Sequence, residues 1–190
     1  GQRFDLSKKP HVLELRLEAD RGAEFPCPVC GRMCKPHDFK EFTWRHLNFF
    51  QHHCAITTKV PRTKCPEHGV KRTEVPWARE GSRFTKLFEA AAMTLVREMP
   101  VKTAARIMET TDQRIWRVVA YYVSRAVSGL DLSDLEAFAF DETASKRGHN
   151  YVTVFIDLNR ANEPVVFATP GKGKETVTRF KEFLEEHGGK

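Results

Sequence analysis

From His11 to Glu18 the chain alternates, with Leu13, Leu15 and Leu17 on one side and Glu14, Arg16 and Glu18 on the other, the period of a half-buried strand. Asn48 to Val60 is rich in aromatic and β-branched residues and predicts a hairpin that Pro61 ends. The period then changes. Phe84, Leu87, Phe88, Ala91 and Leu95 recur at helical spacing, with Ser82 as the candidate N-cap and Pro100 stopping the helix near Met99. A short second helix over 101–108 carries Ala104, Ala105, Ile107 and Met108. Glu109-Thr110-Thr111 turns the chain, and Thr111 or Asp112 can cap a third helix with the apolar stripe Ile115, Val118, Val119, Tyr122 and Val123.

Strands return in the carboxyl-terminal third. Ala137 to Phe140 is an unbroken apolar run that gives way to Asp141 and Glu142, which predicts a central strand buried on both faces with acids at its carboxyl end. Open α/β sheets place their chemistry there. Thr143 to Asn150 should turn the chain back into a second strand, Tyr151 to Ile156, and a turn containing Asp157 leads to a third, Val165 to Ala168. Lys174 to Glu186 reads as a helix with Val177, Phe180, Phe183 and Leu184 inward, closed by Gly188 and Gly189. Three strands and a helix, with the lead acid on the first strand, are the opening of an RNase H-like fold. Gly171-Lys172-Gly173-Lys174 lacks the spacing and hydroxyl of a P-loop and reads as a basic turn at a helix start, offering backbone contact to a phosphate.

Composition narrows the class. At 190 residues, 41% hydrophobic and 29% charged, the chain is an ordinary globular sequence of one to three domains. It contains no apolar run of membrane-spanning length and no secretory signal, so the expectation is a cytoplasmic protein without a membrane partner. The first residue is Gly1, which implies an amino end that was processed, tagged or cut from something longer. The net charge of +6 is uneven: from Ala137 onward 8 basic residues balance 8 acidic ones, and 23 against 17 precede that point. A polyanion partner for the first two thirds follows.

Five cysteines in a reducing compartment argue for metal over disulfides. Cys27-Pro28-Val29-Cys30-Gly31 has two thiols a knuckle's spacing apart, with Pro to stiffen the turn and Gly to close it. Cys65-Pro66-Glu67-His68-Gly69 repeats that design after an interval of 34 residues. Cys27, Cys30, Cys65 and His68 are therefore the expected ligands of a structural zinc, a closed four-ligand site that folds a unit too small to stabilise itself. Cys34 is the rival ligand, and Cys54 is expected to pack as a small apolar residue. His37, His46, His52 and His53 are left outside the site. On the third helix, Gln113, Arg114, Arg117 and Tyr121 lie off the apolar stripe. A tri-helical unit whose last two helices meet at a tight turn is the helix-turn-helix, so Gln113, Arg114 and Arg117 are the expected contacts to bases or phosphates. Trp116 fits either the core or the phosphate side.

In order along the chain, CPVCG at Cys27, TWRHLNFF at Thr43, VPRTKCPEHGV at Val60, VPWARE at Val75 and FDETASKRGHNYVTVFIDL at Phe140 resemble the insertion-sequence DDE transposases of the IS-L-three group. The resemblance implies a multidomain α+β protein: a small zinc-binding β domain (1–76), a helix-turn-helix three-helix unit (77–130) and the amino-terminal part of an RNase H-like α/β domain, three strands plus one helix (131–190). It implies recognition of the element's terminal inverted repeats as double-stranded DNA, a homodimer that joins two ends, and action on the bacterial nucleoid. Asp141 matches the first carboxylate of the DDE triad, which in the full-length form works with Mg or Mn, and Cys27, Cys30, Cys65 and His68 match the zinc positions. Family members continue well past this point, with the second Asp and the final Glu in later elements. A truncated stretch of a catalytic transposase is one reading; a non-catalytic, transposase-derived repressor or inhibitor is the alternative. Two-metal phosphoryl transfer needs several carboxylates around the ions, so this stretch is expected to bind DNA without cutting it.

Overall fold

The computed structural model describes residues 1–146, 148–162 and 164–189. In chain order the elements are β1 (Gln2–Asp5), β2 (Val12–Leu17), β3 (Phe25–Pro26), β4 (Met33–Cys34), β5 (Pro36–Phe49), β6 (His52–Cys65), β7 (Gly69–Arg72), α1 (Lys86–Glu98), α2 (Val101–Ile107), α3 (Asp112–Ser128), β8 (Phe138–Lys146), β9 (Asn150–Asp157), β10 (Val165–Pro170) and α4 (Lys174–Glu186). The class is α+β. The chain forms two compact units, Gly1–Tyr121 and Tyr122–Lys190, whose boundary falls within α3. Among the described residues no helix is long and apolar enough to cross a membrane.

The first unit is built around β6. On one side it pairs antiparallel with β5. On the other it pairs in parallel with β2 over 53–58 and antiparallel with β7 over 62–65. The hairpin is longer at both ends than the sequence pattern indicates, and Pro61 does not end it but lies inside β6 opposite Phe39. The reason lies in the flanking strands. In an extended strand one residue's N–H and C=O point to the same edge, and the Pro61 carbonyl accepts from the Thr73 amide (3.1 Å) and hydroxyl (3.0 Å). The missing donor of Pro61 therefore faces the gap between β2 and β7, where no ladder bond is lost. Of the three leucines on β2 only Leu13 is buried, and Leu17 is exposed at the strand's end. Trp44, Val60 and Ala78 form a core cluster, with Phe42, Val75 and Trp77 packed against it.

Helix α1 begins three residues later than Ser82 would place it. Thr85 is the N-cap, its Oγ1 accepting from the Phe88 amide at 3.3 Å. Ser82 instead closes the preceding turn, accepting from the Phe84 amide (2.9 Å) and donating to Glu89 (2.7 Å). Phe88, Glu89 and Ala92 are the buried residues of α1, whereas Leu87 is 61% exposed. Glu89 is completely buried: Arg79 Nε donates to its Oε2 at 3.0 Å, and the Arg79 guanidinium lies 3.9 Å from the centre of the Tyr121 ring. One buried carboxylate thus joins the linker before α1 to α1, and the arginine that neutralises it reaches α3. Tyr121 is accordingly an internal packing partner of Arg79.

In the second unit β9 is the middle strand of the order β10-β9-β8. Leu132, Phe155, Val166, Phe180 and Leu184 form its core, with Thr176, Phe180 and Leu184 repeating every four residues along α4. β8 corrects the sequence expectation. It is an edge strand among the described residues, with Phe138 42% and Phe140 51% exposed, so it is not buried on both faces. It also runs on to Lys146, because β9 offers a pairing partner as far as Asn150, and Asp141 and Glu142 stand in mid-strand opposite Val154 and Thr153. Asp157 holds its turn, accepting from the Asn159 amide at 2.9 Å and pairing with Arg160 at 2.9 Å.

Removing the buried carboxylate strands the Arg79 charge. We expect Glu89→Ala to destabilise the first unit by about 3 kcal/mol in urea unfolding, with Ser82→Ala costing about 1 kcal/mol. Equal, near-zero effects would show that the pair has no structural weight.

Candidate metal centre and nucleic-acid interface

Each knuckle is shaped by its own backbone. The Gly31 amide donates to the Cys27 carbonyl at 2.8 Å with Gly31 in the left-handed region (φ 73°), and Gly69 (φ 68°) turns the second knuckle into β7. Amides also reach the sulfurs. Those of Cys30 and Val29 lower the Cys27 thiol below its ordinary pKa, while at Cys65 burial opposes but the His68 and Glu67 amides prevail and lower it. The Cys30 thiol moves up: the Arg32 amide pulls it down, but burial and the neighbouring Cys65 and Cys27 outweigh that pull.

The four expected ligands come together. The Sγ atoms of Cys27, Cys30 and Cys65 and a ring nitrogen of His68 all lie within 4.8 Å of one another. Cys30 Sγ is 3.8 Å from Cys65 Sγ, and His68 Nδ1 is 3.6 Å from Cys65 Sγ and 3.9 Å from Cys27 Sγ. Tetrahedral zinc with Zn–S near 2.3 Å and Zn–N near 2.0 Å requires S···S of roughly 3.8 Å and S···N of roughly 3.5 Å. The donor set and its spacing therefore fit zinc, with His68 Nδ1 as the nitrogen ligand and no position left for water. Cys34 lies outside this group of four. Its Sγ donates to the Arg32 carbonyl at 3.4 Å, it packs against Cys27 and Cys65, and burial raises its pKa. Cys54 is buried on β6.

Helices α2 and α3 are joined by residues 108–111, the short turn of a helix-turn-helix. Gln113, Arg114 and Arg117 are exposed in the first two turns of α3, Ile115 and Val118 are buried on the opposite side, and Trp116 is 56% exposed. No local pattern hints at what anchors this turn. Glu109 takes the left-handed conformation (φ 49°), and its Oε2 accepts from Asn48 Nδ2 at 3.0 Å and lies 2.8 Å from His53 Nε2. Arg45 Nη1 lies 2.7 Å from His53 Nδ1, so the imidazole links guanidinium to carboxylate. A second tie joins Thr85 Oγ1 to His46 Nδ1 at 2.9 Å, next to backbone bonds from Arg45 N to Arg83 O (2.8 Å) and from Thr85 N to Arg45 O (3.0 Å). Two of the histidines left outside the metal site thus hold the helices onto the β5–β6 hairpin.

Asp141 is exposed, its Oδ1 accepting from the Glu142 amide at 2.9 Å. Glu142 reaches the start of α4, where its Oε1 accepts from the Gly173 amide at 2.7 Å. That carboxylate occupies the place the glycine-rich turn would have offered to a phosphate, which corrects the phosphate-contact reading of that turn.

A closed thiol–imidazole cluster and a tri-helical unit with a basic last helix define a zinc-ribbon and helix-turn-helix protein. Three successive models from one family match the chain: the zinc-finger of transposase IS204/IS1001/IS1096/IS1165 over 23–68, the helix-turn-helix domain of transposase family ISL3 over 73–123, and the transposase DDE domain of ISL3 over 138–190. Each of three successive stretches of the chain thus matches a domain of the ISL3 transposases. It is 28% identical over 165 residues to the transposase for insertion sequence element IS1557 of Mycobacterium tuberculosis, covering 83% of this chain and 36% of that protein. It is likewise 28% identical over 160 residues to the transposase for insertion sequence element IS1001 of Bordetella parapertussis, covering 83% of this chain and 39% of that protein. The chain thus spans little more than a third of the length of these relatives. No solved structure matches it.

The purified chain should carry one zinc by elemental analysis; Cys65→Ala or His68→Ala should lose it, and Cys34→Ala should keep it. Loss of zinc from Cys34→Ala alone would reassign the ligands. The clamp has its own signature. Hydrogen bonds from Asn48 and then His53 hold the Glu109 carboxyl below its ordinary value of 4.5, so its contribution is full above about pH 4.5 and disappears as pH falls through the lowered value. Urea unfolding should therefore show Glu109→Gln losing about 1 kcal/mol at neutral pH, with the gap to the parent closing in acid. A gap that is constant with pH would exclude the ionised clamp.

Proposed function

We propose that this chain is the end-recognition part, and the first catalytic strand, of an insertion-sequence transposase. Its first unit binds the element's terminal inverted repeats, α3 enters the major groove, and Gln113, Arg114 and Arg117 make the base and phosphate contacts. The observation that carries this reading is the exposed polar and basic start of α3, set after a four-residue turn that Glu109 ties to the hairpin. Zinc on Cys27, Cys30, Cys65 and His68 is structural and holds the base of that hairpin. The functional division is 1–76, 77–130 and 131–190, the last part opening an RNase H-like domain.

Asp141 is the first carboxylate of the catalytic triad. A divalent ion, Mg or Mn, would supply charge neutralisation at the phosphorus being attacked, and Asp141 would be one of its oxygen ligands. Its exposed mid-strand position supports that role, whereas the neighbouring Glu142 is occupied by the Gly173 amide at the start of α4. A second copy at the other end of the element would complete the synapse.

A gel shift of the zinc-loaded chain against candidate inverted repeats tests the reading. Arg114→Ala should weaken binding by about 1–3 kcal/mol and relax sequence preference, and a zinc chelator should abolish the shift. Asp141→Asn should leave affinity unchanged. Equal binding of repeats and unrelated duplexes by both parent and Arg114→Ala would contradict it, as would metal-dependent nicking by the 190-residue chain.

A further inference from the structure

Away from α3, a second set of cations gathers on the first unit. Lys40 Nζ, Arg72 Cζ and Arg83 Cζ lie 5.9, 5.0 and 5.5 Å from the centre of the Phe42 ring. They come from β5, the end of β7 and the segment before α1. The ring itself is fixed: Phe42 stacks on Trp44 (5.8 Å, 25°), which is buried and meets Trp77 edge-on at 5.8 Å. Three positive charges around one ring repel each other, and the π-face attracts each without neutralising any. Acidic neighbours do little to offset this. Arg72 pairs with Glu80 at 3.1 Å through a carboxylate whose side chain is 81% exposed, and Arg62, opposite Arg72 in the sheet, is committed to Asp38. Among the described residues Lys40 and Arg83 make no ion pair.

We propose that Lys40, Arg72 and Arg83 form a phosphate-binding patch that grips the DNA backbone independently of base sequence, in addition to the contacts of α3. The proposal rests on the DNA-binding reading above. No two of the cations can be further apart than the sum of their distances to one ring, which suits one or two neighbouring phosphates of a strand. Two of the three are guanidinium forks, whose paired N–H groups match phosphate oxygens. The rigid ring beneath them limits the side-chain entropy lost on binding. An anion placed there relieves the mutual repulsion of all three at once.

The test is the salt dependence of binding. The zinc-loaded 190-residue chain is titrated onto a labelled mixed-sequence duplex of roughly thirty base pairs at salt concentrations from about 50 to about 200 mM. For the triple variant Lys40→Gln, Arg72→Gln, Arg83→Gln we expect weaker binding and a slope of log K against log salt shallower by about 2 to 3, since each lost phosphate contact removes about 0.9. Lys40→Gln and Arg83→Gln, which break no ion pair, should each flatten the slope by about 1 with zinc content and melting temperature unchanged. Phe42→Leu, which keeps the charges, should retain most of the slope. The comparison arm is Arg114→Gln, Arg117→Gln. If that pair weakens binding while the patch variants match the parent in affinity and slope, the patch is overturned and the helix-turn-helix reading stands. If the parent does not bind this duplex at all, the sequence-independent patch is overturned, and the gel shift against inverted repeats decides the reading on which it rests.

Discussion

Everything in the first unit depends on three sulfurs and one imidazole nitrogen meeting in a space less than 5 Å across. The ribbon around them has almost no core of its own: Cys27, Cys34 and Cys65 are its buried cluster, and its strands β3 and β4 are two residues each. So little apolar area cannot offset the entropy of ordering two knuckles, and a metal bonded to both supplies the missing cohesion. The donors are separated by the edges of a zinc tetrahedron, and the two glycines in left-handed turns let the knuckles approach. Cys65 is both a member of the cluster and the last residue of β6, so the cluster also anchors the central strand of the sheet.

That strand carries the constraint outward. Cys65 at one end of β6 and His53 near the other are twelve positions apart, roughly 40 Å of extended chain at about 3.3 Å per residue. At the far end Arg45, Asn48 and His53 hold Glu109, and His46 and the Arg45 backbone hold the start of α1. A left-handed glutamate in the turn before α3 costs backbone energy of about 1–2 kcal/mol that a glycine would avoid. The carboxylate offsets it with its hydrogen bonds to Asn48 and His53, which a glycine could not make. Arg79 does the same at the other end of the helical unit, neutralising Glu89 and covering Tyr121. The helices are thus placed on the hairpin mainly through polar ties, which are directional and fix orientation more sharply than apolar contact does.

What was readable in the sequence was local. Knuckle spacing points to the four side chains that the fold brings together because each pair is set by its own turn, and Pro100 marks the end of α1 because it excludes the helical conformation before it. Pro61 reads as the end of β6 in sequence alone, since only the flanking strands reveal that its missing donor faces a gap. The start of α1 is ambiguous in sequence because Ser82 and Thr85 are both good caps, and the bonds of Thr85 to His46 and of Ser82 to Glu89 choose between them. The edge position of β8 is invisible in sequence because an apolar run looks the same in a central strand and in an edge strand whose aromatics stay partly exposed. Glu109, Glu142 and the cations around Phe42 act through residues 31 to 61 positions away or through convergence of three segments, which no local pattern displays.

X-ray absorption at the zinc edge of the purified chain tests the central claim most directly. The account predicts three sulfurs near 2.3 Å and one nitrogen near 2.0 Å, with a spectrum unchanged by Cys34→Ala. Four sulfurs, or a shell containing water oxygen, would contradict it.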